Sequence, residues 1–543
     1  MDTHLQFQPQ PDYLHSHVQP LATSAASVES TCQGRKVSQY QGEVKSLKEE
    51  EQGLGARAWS SIKSIPRTIS IFCRAIGKVS LVAYYFVKHQ LFGYEFTSEH
   101  LQNYLQRLGS AYPKMLQTVV ANPELLKELG KLLNTTKSER KKFDGVIRDV
   151  LDNNPEIPAS VPRSILDKAG CQDHSVQRHI ASGTIGSCFE VKKGDESLVA
   201  KVVPDWKADD LAAGLQSIRM LLFFMPKELR TTIREMTDPF VLECDLKEEK
   251  KNQLVFKETL EKTQQTERLD TYWVPQATTL TFKVPKINEA VGADNLLMME
   301  YLQDGHTLNA LTDPENEQLR SEVYQRCFGK RLVNDALFRH ILEQVHSQIK
   351  AKWRELALVH GVVHGDCHPG NIMLSCKPDG HLDVWFIDFG NCISLTEAQR
   401  TQYPEIVRLL SNLADPFAQE AMDQARFDRL VDTLWDDVAI SHRANTPDNK
   451  AQFKNLLRDE FTKLRDLDSA IDRVAERRSL TPLQKAELRA NCQDPLFQEE
   501  AKVLLLSLIS ANLGSVCKLR GVQLPSSFTR YISAHFRAGV ILN

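Results

Sequence analysis

The sequence predicts an α+β chain of two lobes, a small strand-rich one followed by a larger helical one, behind a helical N-terminal extension. Three observations carry this. Residues 179–203 read strand, glycine turn, strand, with β-branched and aromatic residues around Gly183, Gly186 and Gly194. A short apolar run, Leu296 to Leu302, and a hairpin at Ile372–Cys376 and Leu382–Ile387 turned by Pro378-Asp379-Gly380 add further strands. From Leu395 to the end the apolar residues keep a helical period.

Composition bounds the function. The 543 residues are 42% apolar and 25% charged, ample for a buried core and several domain-sized units. Lys and Arg number 67 against 70 Asp and Glu, so no global basic field is present and nucleic acid is not an expected partner. Eleven cysteines lie at irregular spacings without any CxxC, which argues against a disulfide framework or a structural zinc and for a reducing compartment. The first residues, MDTHLQFQPQ, lack the basic start and continuous apolar core of a secretory leader and are not the Arg-rich, acid-poor stretch of a strong mitochondrial presequence. A cytoplasmic location is therefore expected. The most apolar segments, Val79–Val87 and Val503–Cys517, fall short of the ~20 apolar residues that span a bilayer.

In chain order, residues 1–55 are rich in Gln, Ser, His and Pro and are expected to be a disordered tail. Residues 56–152 form the helical extension. Between Trp59 and Gly93, apolar residues recur at helical spacing with Lys63, Arg67, Arg74, Lys78 and Lys88 among them. Such a basic amphipathic segment either packs on the rest of the protein or docks peripherally on an acidic membrane surface. A Pro-rich linker, Asn154 to Pro162, leads into the small lobe, 153–303, and the helical lobe occupies 304–543.

The strongest chemical signal is His364-Gly365-Asp366-Cys367-His368-Pro369-Gly370-Asn371, followed 22 residues after Asp366 by Asp388-Phe389-Gly390. Phosphoryl transfer from ATP needs a carboxylate to orient the attacking oxygen, then an amide and a second carboxylate to hold Mg²⁺ against the phosphates. An H-x-D-x-x-x-x-N loop, a hairpin and D-F-G supply these in order, as Asp366, Asn371 and Asp388. Upstream, Val199-Ala200-Lys201 places Lys201 in a strand as the cation for the α/β-phosphates. The turn Ala181-Ser182-Gly183-Thr184-Ile185-Gly186 lets backbone amides approach a phosphate. Read alone, that turn is equally a plain hairpin turn and Lys201 a surface charge. As a series the signals predict a protein-kinase-like bilobal fold, with ATP and Mg²⁺ as cofactors.

These residues resemble the UbiB/AarF atypical kinase family. His364 to Asn371 is similar to that family's H-A-D-P-H-P-G-N, with Gly365 and Cys367 as the differences, and residues 181–203 resemble its alanine-rich loop and β3 lysine. Met299-Glu300-Tyr301 falls where the family has its hinge strand, which implies Glu300 at the nucleotide. Glu243-Cys244-Asp245 with Glu249 and Asn252 resembles its E-x-D motif. The resemblance implies that Glu249 pairs with Lys201 and that Glu243 and Asp245 lie near the nucleotide. Leu108 to Gln117 looks like the family's lysine and glutamine segment, with Lys114 and Gln117 matching and Leu116 in place of a glycine. Glycine at 183 and serine at 182, where alanines are common, bring the turn closer to an ordinary kinase phosphate loop.

The resemblance further implies ATP binding and hydrolysis linked to lipid or quinone precursors and a biosynthetic protein complex, as in ubiquinone biosynthesis. In a eukaryote it implies the matrix face of a mitochondrial membrane. Two other readings stand beside it: a phosphotransferase acting on a protein or small hydroxyl compound, and a non-catalytic ATP-binding scaffold. Only a short loop separates Gly390 from the helix containing Tyr403-Pro404-Glu405, which leaves a peptide substrate little to lie on. His364 is expected to fix the catalytic loop through its ring, without proton transfer. Cys367 and His368 have no further ligand at metal spacing nearby.

Overall fold

The computed structural model describes residues 67–84, parts of 103–115, then 160–182, 186–223, 245–269, 278–329 apart from 290, 292 and 314, 335–442, 445–477, 480–494 and 498–538. The expected tail at 1–55 and most of the Pro-rich linker lie outside the described residues. The chain divides into residues 1–70, of which 67–70 are described as helical, and residues 71–543.

The small lobe is built on an antiparallel sheet in the order β1 (His174–Ser182), β2 (Ser187–Lys193), β3 (Glu196–Val202), β6 (Leu296–Glu300). Strand alternation sorts its residues. Phe189, Val191, Leu198, Ala200, Val202, Leu296 and Met298 bury on one face beneath a short helix, Ser160–Lys168, through Ile165 and Leu166. The opposite face carries Cys188, Val199 and Lys201.

After β3 the chain enters helix α3 (Asp205–Leu222), numbering 67–84 as α1 and Ser160–Lys168 as α2. Gly214 of α3 meets Ala111 so closely that an added Cβ would lie 2.5 Å from the alanine methyl, and Leu105, Leu108 and Tyr112 join Leu211, Leu215 and Ile218 in one apolar cluster. Gly109, with φ of 81°, turns the chain where Lys78 of α1 bonds Asp210 at 2.8 Å and also donates to the Leu108 carbonyl. Lys78 is thus buried in an ion pair and is not one of the cations available to a membrane.

Helix α4 (Leu246–Glu261) reads as a charged surface helix, yet Leu246, Glu249, Gln253, Phe256 and Leu260 recur every three to four residues and are all buried. Its start is fixed by Asp245, whose Oδ1 accepts the Lys247 and Glu248 amides at 3.1 and 3.0 Å.

The second sheet joins the lobes. Its order is β4 (Thr266–Arg268), β5 (Thr279–Lys283), β10 (His381–Phe386), β9 (Ile372–Cys376), β7 (His306–Thr307), with β5 and β10 parallel. The expected hairpin is β9–β10, and Gly380, at φ 81°, completes its Pro-Asp-Gly turn. Strands β4, only three residues long, and β5, whose Thr279-Leu280-Thr281-Phe282-Lys283 alternates, precede residue 303, but β5 pairs with the hairpin of the helical lobe and β4 with β5.

That lobe contains α5 (Leu308–Thr312), α6 (Glu317–Phe328), α7 (Asp335–Leu358), α8 (Glu397–Leu413), α9 (Gln424–Asp432), α10 (Pro447–Arg465), α11 (Leu467–Arg477), α12 (Pro482–Gln493), α13 (Gln498–Leu506), α14 (Leu508–Arg520) and α15 (Ser526–Arg537). Its core includes Phe338, Trp353, Phe386, Tyr403, Phe427, Trp435, Phe453 and Tyr531, each contributing on the order of 2 kcal/mol of apolar burial. The two-lobed, kinase-like fold expected from the sequence is present. No helix of the described residues is long and apolar enough to cross a membrane.

Candidate functional site

Lys201 is the penultimate residue of β3, where alternation turns it to the face opposite the buried Ala200 and Val202. Its ammonium lies 2.7 Å from Glu249 Oε1 of α4 and 3.2 Å from Asp388 Oδ1 of the D-F-G turn. Three residues from three parts of the chain therefore meet at one charge. Glu249 is buried and Asp388 about half exposed. Burial pulls the Lys201 pKa down, but the two carboxylates outweigh it and hold the ammonium firmly protonated. Burial and the Asp388 charge push Glu249 above the usual carboxylate range against the pull of Lys201. Burial also acts upward on Asp388, yet the Lys201 charge and hydrogen bond prevail and keep it ionised below its ordinary value.

Asp388 has φ of 64° and is the one non-glycine residue with positive φ among the described residues. A left-handed backbone costs roughly 1–2 kcal/mol there, so the surrounding contacts must impose it. The preceding Ile387 donates its amide to the Asn371 carbonyl at 3.0 Å and accepts the His364 ring Nε2–H at 3.1 Å. The other ring nitrogen, Nδ1, accepts the Asp366 amide at 3.3 Å. One neutral tautomer satisfies both bonds, and burial lowers the His364 pKa to favour it. The His364 ring thereby ties the Asp366 loop to the residue before Asp388. The following Phe389 is buried among Phe256, His364 and the α4 helix, with ring centroids 5.2–5.3 Å apart.

The loop bearing Asp366 leaves β8 (Val362–His364), which pairs with β11 (Cys392–Ser394) so that His364 lies opposite Cys392. Gly365 donates to the Asn391 carbonyl at 2.7 Å, and a Cβ on it would lie 2.0 Å from that oxygen. The Asn371 side-chain amide donates to the Asp366 carbonyl at 3.0 Å, which leaves its Oδ1 as an acceptor for other groups. Cys367 is buried, its thiol pushed up to about 12 by burial. His368 uses Nδ1 to accept the Gly370 amide at 3.0 Å, so both have local structural roles.

At the nucleotide-loop end, Ala181 and Ser182 close β1 and Gly186 precedes β2. Ser182 and Ser187 share a hydroxyl hydrogen bond of 2.7 Å, and His179 Nε2 lies 2.8 Å from Ser182 Oγ. This side-chain network closes the mouth of the turn and was not read from the sequence. Cys188 is the cross-strand partner of Lys201, its thiol pushed up to about 11 by burial. Glu300 ends β6, its amide bonding the Lys286 carbonyl at 2.8 Å and its carboxylate accepting the Lys286 amide at 3.1 Å. Asp245 is the α4 cap described above. Gly183, Thr184, Ile185, Lys114, Gln117 and Glu243 lie outside the described residues.

The oxygen donors Asp388, Asn371 and Asp366 suit Mg²⁺, a hard ion held by one or two carboxylates together with substrate phosphates. Among the described residues no three His, Cys, Asp or Glu side chains converge as a metal site. A residue the motifs left without a role is Asn252, one turn beyond Glu249. Its side-chain amide donates to the Phe389 carbonyl at 3.1 Å, and in the sequence it stands out only as part of the E-x-D resemblance, at i, i+3 from Glu249. Arg530 and Asn391, 139 residues apart, are joined by hydrogen bonds of 2.7 and 3.0 Å with no sequence signal at all.

Comparison with known proteins places this geometry in a class. Residues 177–416 match the family model of the ABC1 atypical kinase-like domain, a span that contains every described site residue from Lys201 to Asp388. Over that span the chain matches an ABC1 atypical kinase-like domain. It is similar to AarF domain-containing kinase 1 of Drosophila melanogaster, 26% identical over 126 residues, which are 23% of this chain and 20% of the relative. It is also similar to AarF domain-containing protein kinase 1 of Mus musculus, 25% identical over 122 residues, covering 22% of this chain and 19% of the relative. The chain spans about a fifth of the length of these curated relatives.

Proposed function

We propose that the chain binds Mg-ATP in the cleft between β3, α4 and the two loops, and hydrolyses or transfers its γ-phosphate. The observation that carries this reading is the meeting of Lys201 with both Glu249 and Asp388. Lys201 would pair with the α/β-phosphates, oriented by Glu249. Asp388 and Asn371 would hold Mg²⁺, which when bound neutralises phosphate charge. Asp366 would orient the attacking oxygen, water or a hydroxyl, and accept its proton. The turn 181–186 would contribute backbone amides, Glu300 would lie at the hinge, and Asp245, Glu243, Lys114 and Gln117 would border the nucleotide.

The chain after D-F-G supports a small acceptor in this reading. Strand β11 ends at Ser394 and α8 begins at Glu397 under a reciprocal cap, Thr396 Oγ1 accepting the Gln399 amide and Gln399 Oε1 accepting the Thr396 amide. With no room for a long peptide-binding segment, water or a small or lipid-like hydroxyl fits better than an extended peptide. A quinone or lipid precursor and peripheral contact with a membrane belong to this reading, supported by the exposed Phe72 and Ile76 of α1. The location would be cytoplasmic or, in a eukaryote, the matrix face of a mitochondrial membrane.

Purified protein assayed for Mg²⁺-dependent ATP turnover, with and without anionic vesicles, tests the reading. Turnover is expected for the wild type and lost in Asp388→Asn with the fold retained. Equal turnover by Asp388→Asn would remove the assignment.

A further inference from the structure

We propose that Arg530, on the C-terminal helix α15, is a positioning residue for the candidate phosphoryl-transfer site, setting the separation of the Asp366 and Asp388 loops through Asn391. This rests on the reading of that site as a Mg-ATP site.

The contact is specific in geometry. Arg530 Nε and Nη2 both donate to Asn391 Oδ1, at 3.0 and 2.7 Å, and Nη2 also donates to the Cys392 carbonyl at 2.8 Å. With Oδ1 taken by the guanidinium, the Asn391 amide has one orientation left, and its Nδ2 donates to the Gly365 carbonyl at 3.3 Å. Gly365 returns the bond through its own amide to the Asn391 carbonyl at 2.7 Å. Gly365 immediately precedes Asp366, and Asn391 immediately follows Asp388-Phe389-Gly390. The Arg530-Asn391-Gly365 chain therefore links the two loops at the residues flanking their carboxylates.

An ordinary protein kinase has arginine at the Gly365 position, in H-R-D. Here that position has no space even for a Cβ, which would lie 2.0 Å from the Asn391 oxygen. The arginine comes instead from α15, 139 residues beyond Asn391. The same helix braces the loop a second time. Tyr531 and His535 pack their rings on Trp353, with centroids 6.4 and 5.8 Å away, and Trp353 Nε1 donates to the His364 carbonyl at 3.1 Å.

Full-length Arg530→Gln, Arg530→Lys, Asn391→Ala and the Arg530→Gln/Asn391→Ala double variant are compared with wild type for thermal melting, ATP KM, kcat and the Mg²⁺ concentration at half-maximal turnover. Misplacing the loops should lower kcat about tenfold to a hundredfold and raise the Mg²⁺ requirement. ATP KM should stay within about twofold, because Lys201 and Glu249 are untouched. Lysine, which cannot give two parallel donors to one oxygen and a third to Cys392, should restore only part of the loss. The double variant should be no worse than Asn391→Ala. A folded Arg530→Gln with wild-type kcat and Mg²⁺ dependence, or additive losses in the double variant, overturns the proposal. If Arg530→Gln does not fold, Arg530→Lys decides on the same readouts. A wild type that binds no Mg-ATP overturns the reading of the site and this proposal with it, and is told apart because the failure precedes any substitution.

Discussion

The side-chain amide of Asn252 donates to the Phe389 carbonyl at 3.1 Å, and Glu249, one turn earlier on α4, accepts from the Lys201 ammonium at 2.7 Å. The D-F-G backbone is therefore tied at Phe389 to the helix that also holds Lys201. Asn252→Leu should remove about 1 kcal/mol of stability in a urea melt and lower ATP turnover with little change in the Lys201–Glu249 pair. Unchanged turnover in a stable Asn252→Leu protein would separate the α4 helix from control of this turn.

Lys201→Ala leaves the buried Glu249 carboxylate without its cation. Removing one partner of a buried pair costs roughly 3–5 kcal/mol, a range reduced here because Asp388 is about half exposed. Lys201→Ala should melt several degrees below wild type and lose turnover. Adding Glu249→Leu should recover melting temperature but not activity. Failure of the second substitution to recover stability would count against an uncompensated charge as the cause.

Gly365 is fixed by the Asn391 carbonyl, 2.0 Å from where a Cβ would sit. Restoring the ordinary kinase residue with Gly365→Arg, or the related family's alanine with Gly365→Ala, should push β8 from β11 and abolish Mg²⁺-dependent turnover. Retained activity in Gly365→Ala would mean that the two strands separate at little energetic cost.

His535 is fully buried, and both ring nitrogens lack hydrogen-bond partners among the described residues. Burial, with the nearby Arg354 charge, lowers its pKa from 6.5 to about 3. Between those values the unfolded chain binds a proton that the folded chain refuses, so stability rises with pH across this window. It should be lost as pH falls below 6.5, at about 1.4 kcal/mol per pH unit for this group. His535→Phe keeps the ring against Trp353 and should flatten the acid limb of a melting-temperature profile. A limb of unchanged slope would assign the acid loss to other groups.

Much of the site was legible in the sequence because its parts are local. The H-G-D loop, the β9–β10 hairpin and D-F-G are contiguous, and their order alone forecasts Asp366, Asn371 and Asp388. Lys201 was legible from the Val199-Ala200-Lys201 pattern in a strand context, and the strand spans seven residues. Glu249 came through resemblance, since α4 by composition alone looks like a solvated helix, and only its i, i+3, i+4 spacing discloses the buried seam.

What the sequence by itself determined was the inventory and order of chemical groups, because strand alternation, turn residues and motif spacing act over a few residues. Only the tertiary structure decided that β4 and β5 join the hairpin of the other lobe, that Asn252 holds Phe389, and that Arg530 reaches Asn391. Those pairings depend on which distant surfaces pack together. That choice is made by the summed burial of the whole core, and no short stretch of chain contains it.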